Sequence, residues 1–66
     1  MITPYSQTGI TCPCCSQSVV LPYDICDVCG WENDVVQLKH PDTGGGANTI
    51  SLNEARKAYK EGKKVY

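Results

Sequence analysis

The sequence predicts a small α+β metal-bound domain: a zinc-ribbon or rubredoxin-like β-hairpin with two cysteine knuckles, followed by one C-terminal α-helix. Three observations predict this fold class. The first is the spacing C-x2-C-x10-C-x2-C. The second is a β-rich segment between the two cysteine pairs, and the third is a helix-start motif at residues 51–54. With 66 residues, the chain is expected to form one domain, 1–66. Its small hydrophobic core is expected to need further stabilisation, such as a bound metal ion.

The cysteine spacing predicts one structural Zn²⁺ ion. Each C-x2-C pair turns the chain so that two sulfur atoms face one ion at about 2.3 Å. Zinc suits four thiolates because thiolates are soft ligands and zinc adds no redox chemistry. The predicted ligands are Cys12, Cys15, Cys26 and Cys29.

Two further residues offer alternatives at this site. Cys14, the fifth cysteine, is an alternative ligand to Cys15, a small side chain under the knuckle, or a reactive thiol beside the metal. His40 is the sole histidine and is an alternative fourth ligand in place of one cysteine.

The N-terminal half divides into two predicted parts. Residues 1–11 are polar and turn-prone, and they predict an N-terminal arm that leads into a short strand near Cys12. Residues 12–38 are the predicted zinc-ribbon-like part. Within it, residues 18–22 predict a strand that leads back to the second cysteine pair, and residues 35–38 predict a second β-like run.

Two residues after the last cysteine are predicted to shape the second knuckle. Gly30 follows Cys29, where a residue free to take a positive φ lets backbone amides turn toward the thiolate. Trp31 is expected to cover the metal site as part of the core. The alternative is a half-exposed Trp31 that anchors a partner, since Trp is enriched at binding hot spots.

Residues 39–50 are predicted to form a Gly-rich loop, because Pro41 disfavours helix and three consecutive glycines follow. The glycines are not followed by the G-K-[ST] of a phosphate-binding P-loop. The loop is either a flexible connector or a segment whose backbone approaches a partner or the Trp31 region closely.

A C-terminal helix is predicted over residues 51–62. Ser51 and Glu54 have the spacing of a capping box, and Gly62 offers a C-terminal stop. Leu52, Ala55 and Tyr59 share one helix face. Because so short a helix is marginal alone, this face is expected to pack on the ribbon.

Charge is distributed unevenly along the chain. Residues 1–38 carry four acidic residues and no Lys or Arg, whereas residues 39–66 carry six basic and three acidic residues. The acidic half of the chain carries both knuckles and disfavours nucleic-acid binding, since neutralisation of phosphate charge supplies most of the affinity for nucleic acid. The basic flank of the predicted helix keeps nucleic-acid binding as the alternative function; its members are Arg56, Lys57, Lys60, Lys63 and Lys64.

The N-terminus shows neither a basic n-region nor an apolar h-region, and no apolar run approaches the roughly 18 residues of a membrane span. We therefore expect a cytoplasmic protein with reduced thiols and no membrane partner. In that compartment such cysteine spacing indicates a metal site rather than disulfides.

Three separated motifs carry a resemblance to a known family. They are Cys12-Pro13-Cys14-Cys15, C-x-x-C-x-W-E-[DN]-D over residues 26–34, and G-G-[AP]-N-x-x-S-L-N-E-A-R-x-x-[YF] over residues 45–59. In this order they resemble the cysteine-rich CPCC family of small bacterial proteins. The resemblance implies a stand-alone bacterial protein that binds zinc and has no established catalytic activity. Members often have Gly where this chain has Ser16 and a bulky residue where it has Gly30.

The family pattern also draws attention to a set of polar residues near Trp31. As a structural network, Arg56 would bond Asp34 or Glu32, and Asn48 would cap the turn before Ile50. As a recognition patch, the same residues would surround an aromatic anchor. The predicted partner-binding residues are Trp31, Glu32, Asp34, Asn48, Asn53 and Arg56.

The sequence therefore predicts a non-enzymatic zinc module that binds another protein, in an immunity or regulator-type role. Catalysis is not expected because four cysteine ligands leave no open metal position for water, and a single histidine provides no catalytic pair. No small-molecule substrate is expected.

Overall fold

The computed structural model describes residues 9–66. Its elements, in chain order, are β1 (Ile10–Thr11), β2 (Val19–Val20), α1 (Val35–Lys39) and α2 (Leu52–Lys60). The two strands pair antiparallel, with Ile10 opposite Val20. A β-hairpin followed by a helix confirms the predicted fold class. Residues 1–8 of the predicted N-terminal arm lie outside the described residues, and the strand expected near Cys12 is β1.

Each cysteine pair lies in a hairpin of its own. The first pair lies in the connection between β1 and β2, so β2 pairs with residues before the first knuckle. The second pair lies between Ile25 and Glu32, which form an isolated antiparallel bridge. Two hydrogen bonds extend this bridge, from the Tyr23 amide to the Asn33 carbonyl and from the Asn33 amide to the Asp24 carbonyl, both 2.8 Å.

The β-like run predicted over residues 35–38 is wrong, because these residues form the short helix α1. Asp34 is the N-cap, and its Oδ1 accepts hydrogen bonds from the amides of Val36 at 2.8 Å and Gln37 at 3.4 Å. Asp is among the preferred N-cap residues, whereas the strand preference of two valines depends on a neighbouring strand to pack against. The cap therefore decides the local structure.

Gln37 holds the Gly-rich loop against α1 and is fully buried, with 0% of its surface exposed. Its Nε2 donates to the carbonyls of Thr43, Asn48 and Ile50 at 3.0, 3.3 and 3.1 Å. Its Oε1 accepts from the Asn48 backbone amide at 3.1 Å and from Asn48 Nδ2 at 2.9 Å. One side chain thus satisfies polar groups of three loop residues.

The same loop approaches Asp34 closely at Gly46. A Cβ atom at Gly46 would lie 2.7 Å from Asp34 Oδ2, and the next amide, of Ala47, donates to that oxygen at 2.9 Å. The backbone amides of Ala47, Val36 and Gln37 lower the pKa of the Asp34 carboxyl, and the Ala47 amide has the largest effect. The loop was predicted to be either a flexible connector or a segment of close backbone approach. The second prediction holds, because the loop backbone lies close to the segment after Trp31.

The capping box is present as predicted. The Glu54 amide donates to Ser51 Oγ at 3.1 Å, and the Ser51 amide donates to Glu54 Oε1 at 3.0 Å. Gly62 follows the helix with φ 74°. Leu52 and Ala55 are buried in the core with the knuckles, which confirms the predicted inward face of α2.

The segment after α2, residues 63–66, folds back onto the knuckles. Val65 is buried in the core cluster, and the ring of Tyr66 lies where a side chain at Gly30 would be. Gly30 has φ 86°, so both its backbone conformation and its contact with Tyr66 favour glycine. Among the described residues, neither helix is long and apolar enough to cross a membrane.

We predict that Gln37→Met lowers the free energy of unfolding of the metal-loaded protein by about 3 kcal/mol, since it leaves several buried groups without hydrogen-bond partners. Met matches the length of Gln, so little cavity is added. Urea unfolding followed by circular dichroism measures the difference.

Gln17→Met is the matched control, because Gln17 is exposed and its side chain makes one hydrogen bond, to the Cys15 carbonyl at 3.3 Å. It should change stability by about 0.5 kcal/mol or less. Equal losses in the two variants would show that the buried network contributes no special stability.

Candidate metal centre

Four cysteine sulfurs converge between the two knuckles. The Sγ atoms of Cys12, Cys15, Cys26 and Cys29 all lie within 4.8 Å of one another. Two cross-knuckle pairs, Cys12 with Cys29 and Cys15 with Cys26, have Sγ–Sγ distances of 3.7 Å. A tetrahedral ion with metal–sulfur bonds of about 2.3 Å places its sulfurs about 3.8 Å apart. The four side chains therefore fit one tetrahedral metal ion.

The two knuckles are built by the same backbone turn. The Ser16 amide donates to the Cys12 carbonyl at 3.0 Å, and the Gly30 amide donates to the Cys26 carbonyl at 2.8 Å. Ser16 has φ 62° and Gly30 has φ 86°, so both take the left-handed conformation. The predicted positive φ at Gly30 is confirmed. Ser16 takes the same conformation at a cost that glycine would avoid, of roughly 1 kcal/mol.

Backbone amides donate hydrogen bonds to two of the sulfurs, which favours the charged thiolate form. The Gln17 amide donates to Cys15 Sγ and the Val28 amide to Cys26 Sγ, both at 3.4 Å. Burial is the largest single influence and raises the pKa of the Cys26 thiol, but hydrogen bonds from the Cys29 and Val28 amides, together with those from the Cys15 and Cys29 side chains, lower that pKa to about 7. The turns thus favour the ionised form of this sulfur.

At two of the remaining cysteines, the effect of burial prevails over that of the hydrogen bonds. It raises the pKa of the Cys15 and Cys29 thiols, because a low-dielectric site disfavours several neighbouring negative charges. A divalent cation at the centre of the cluster removes this obstacle by compensating the thiolate charges. The donor set is therefore suited to a metal cation.

Trp31 is packed into the core beside the cluster and is 1% exposed. The alternative of a half-exposed anchor is wrong, since its side chain has no free face to offer a partner. Its Nε1 has no hydrogen-bond partner among the described residues. Trp31 thus belongs to the apolar cover of the cysteine cluster.

Asn48 does not cap the turn before Ile50, and that prediction is wrong. Its Oδ1 accepts from the Glu32 amide at 3.0 Å, and its Nδ2 donates to the Glu32 carbonyl at 2.8 Å. The side chain thus pairs with the Glu32 backbone as a neighbouring strand would. Asn48 and Asp34 are both buried, and their hydrogen bonds join the loop to the Glu32 backbone and to the N-cap of α1.

Arg56 bonds neither Asp34 nor Glu32, so the predicted tie is wrong. Its Nε donates to the Pro13 carbonyl at 2.8 Å, and one terminal nitrogen donates to Asn53 Oδ1 at 3.3 Å. The oxygens of Asp34 are already used by backbone amides of α1 and the loop. Arg56 therefore fastens α2 to the first knuckle.

The remaining predicted residues lie apart from the sulfur cluster. Asn53 is exposed and its Nδ2 donates to Asp42 Oδ1 at 2.6 Å. His40 is an exposed residue at the end of α1 and is not among the four clustered ligands, so its role as a replacement ligand is wrong.

Cys14 also lies outside the group of four. It is buried, and burial raises the pKa of its thiol to about 11. With Arg56, Tyr59 and Lys60 it lines a cavity of about 430 Å³ between the first knuckle and α2. This placement agrees with the hypothesis of a small side chain under the knuckle.

Two features of the site were missed by the sequence patterns. The role of Gln37 in α1 is not indicated by the β-like run over residues 35–38, although the D-x-x-Q spacing of Asp34 and Gln37 is a signal of a helix start. The contact of Tyr66 with Gly30 joins residues far apart in the chain, and no local pattern predicts it.

Fold and site together define a small protein whose core is organised around a cluster of four cysteines that can hold one metal ion. The sequence profile of the Cysteine-rich CPCC family matches residues 10–62, and the chain belongs to this family. The match confirms the resemblance inferred from the three motifs. No curated protein matches the sequence significantly.

We predict that the protein binds one divalent ion per chain and that Cys15→Ser abolishes stable binding, since it removes one of four sulfur ligands. Native mass spectrometry counts the ions bound. Cys14→Ser is the matched control and should keep one ion. An ion retained by Cys15→Ser but lost by Cys14→Ser would show that Cys14 is the ligand instead.

Proposed function

We propose that this protein is a non-enzymatic zinc module and that its function is to bind another protein. The donor set supports zinc: four soft thiol ligands at tetrahedral spacing, mostly buried, form the closed type of site that zinc takes in structural roles. A site closed by four cysteines leaves no position for a reacting water, which supports the non-enzymatic part of the proposal.

The observation that carries the binding role is the apolar surface around the second knuckle. Ile25 is 66% exposed, and Tyr23, Val28 and Tyr66 are each at least half exposed. Large apolar side chains are scarce in so small a core, so a group of them on the surface indicates an interaction site. Asp24 and Asp27 lie in the same segment and are exposed as well.

These properties suit an immunity or regulator-type role, in which the module covers a functional surface of a larger protein. An apolar centre with an acidic border fits a partner surface that is apolar and bordered by Lys or Arg. A zinc ion bound by four thiolates keeps a net negative charge, so loading the site strengthens this complementarity.

Nucleic-acid binding through α2 is the alternative. Lys57, Lys60, Lys63 and Lys64 are exposed along and after the helix. Lys63 pairs with Glu61 at 3.1 Å, and Arg56 is already used by the first knuckle, which reduces the free positive charge. Binding of this kind would depend steeply on salt.

We predict that the protein, gently isolated from its own host, carries one zinc ion and a bound protein. Native mass spectrometry identifies both from the mass added. Ile25→Asp should lower the affinity for that protein about tenfold or more while leaving the zinc content unchanged, because it places a charge in the apolar surface.

Val36→Asp is the matched control, since Val36 is 54% exposed but lies on α1. It should bind the partner as the unmodified chain does. Absence of any bound protein, together with a gel shift on duplex or single-stranded nucleic acid at about 50 mM salt, would replace the proposal with the alternative.

A further inference from the structure

A cleft of about 390 Å³ opens beside the second knuckle. It is lined by the exposed side chain of Ile25 and by Tyr66, which is 63% exposed. Gly30 and Ala47 add no polar side-chain atoms between them. The charged group at this cleft is the carboxylate of Glu32, which is partly buried.

Glu32 differs from the other acidic residues of the ribbon. Asp24 accepts a hydrogen bond from the Leu21 amide, Asp27 accepts one from Ser18 Oγ, and Asp34 accepts three from backbone amides. Within residues 9–66, the Glu32 carboxylate has neither a hydrogen-bond donor nor a cationic partner. A partly buried carboxylate at an apolar cleft is thus available for a positive group from outside.

The lining of the cleft suits a long basic side chain. Such a side chain has an apolar stem that packs on aliphatic surface and a charged end that seeks a counter-charge. The Tyr66 ring already attracts a cation, since Lys64 Nζ lies 5.8 Å from its centroid. A planar guanidinium stacks on aromatic rings and pairs with carboxylates better than an ammonium group does.

We propose that this cleft binds an arginine side chain of the partner protein. The stem lies along Ile25, and the guanidinium contacts the Tyr66 ring and pairs with the Glu32 carboxylate. The inference rests on the proposed protein-binding function and specifies the partner's chemistry: an arginine flanked by apolar residues. A purely apolar side chain would bury the carboxylate unpaired, and an acidic one would be repelled.

The test is a titration of the full-length, zinc-loaded, ¹⁵N-labelled protein with the peptide acetyl-Leu-Arg-Leu-amide, followed by amide chemical shifts. The shifts are expected at residues around the cleft: Ile25, Gly30, Glu32, Ala47, Asn48 and Tyr66. The Lys peptide should bind more weakly, and the peptides with Gln or Glu in place of Arg should leave the cleft amides unshifted.

Glu32→Gln should weaken binding of the Arg peptide about fivefold, which is the effect of losing one partly exposed ion pair. Zinc content and the shifts of residues outside the cleft report that this variant is folded. Glu61→Gln is the matched control, since it removes the same charge at a site outside the cleft, and its affinity should equal that of the unmodified chain.

Three outcomes would overturn the proposal. Equal binding of the Arg and Gln peptides would show apolar contact alone. Shifts confined to α2 would place the peptide elsewhere, and cleft shifts that follow protein concentration without peptide would identify a second copy of this chain as the occupant.

A partner captured equally well by the unmodified chain and by Glu32→Gln would also overturn the cleft proposal, while the proposed protein-binding function would stand. An Arg peptide bound in the cleft, together with no partner captured, would contradict the proposed function alone. The two failures are therefore distinguishable.

Discussion

Four thiol sulfurs gathered within 4.8 Å of one another are the constraint on which the rest of this small structure depends. Burial opposes ionisation at Cys15, Cys26 and Cys29, while backbone amides and a divalent cation favour it. The two knuckles come from separate hairpins, so the cluster joins two parts of the chain. Trp31, Leu52 and Val65 complete the core around it. Structural metal binding of this kind contributes on the order of 10 kcal/mol in small domains, more than so limited a core supplies.

A second cluster of buried side chains is polar and positions the Gly-rich loop. Gln37 and Asp34 bind the Gly-rich loop through its backbone groups, and Asn48 connects that loop to the Glu32 backbone. Removing one partner of any of these hydrogen bonds would lower the stability of the fold, since a buried polar group left unpaired costs more free energy than the bond contributes. The loop is thereby held beside the second knuckle, where it forms one side of the cleft at Glu32.

Local patterns predicted those parts of the fold whose cause is local. The cysteine spacing predicted the four clustered side chains, and the Ser51–Glu54 pattern predicted the start of α2. The strand prediction for residues 35–38 was wrong because two valines have no adjacent strand there, while Asp34 supplies a helix cap. The predicted bond from Arg56 to Asp34 or Glu32 was wrong, because charge complementarity indicates which groups attract each other and not which groups lie within reach.

By itself, the sequence determined the family, the cysteine cluster and the capped helix, because short-range spacing and side-chain chemistry are sufficient for these. Only the tertiary structure decided which polar groups are buried and which remain free. It turned Trp31 inward, left the Glu32 carboxylate without a partner among the described residues, and laid Tyr66 over Gly30 to form the cleft. The physical reason is that these placements depend on packing between segments distant in the chain, whose relative positions follow from closing the core around the sulfurs.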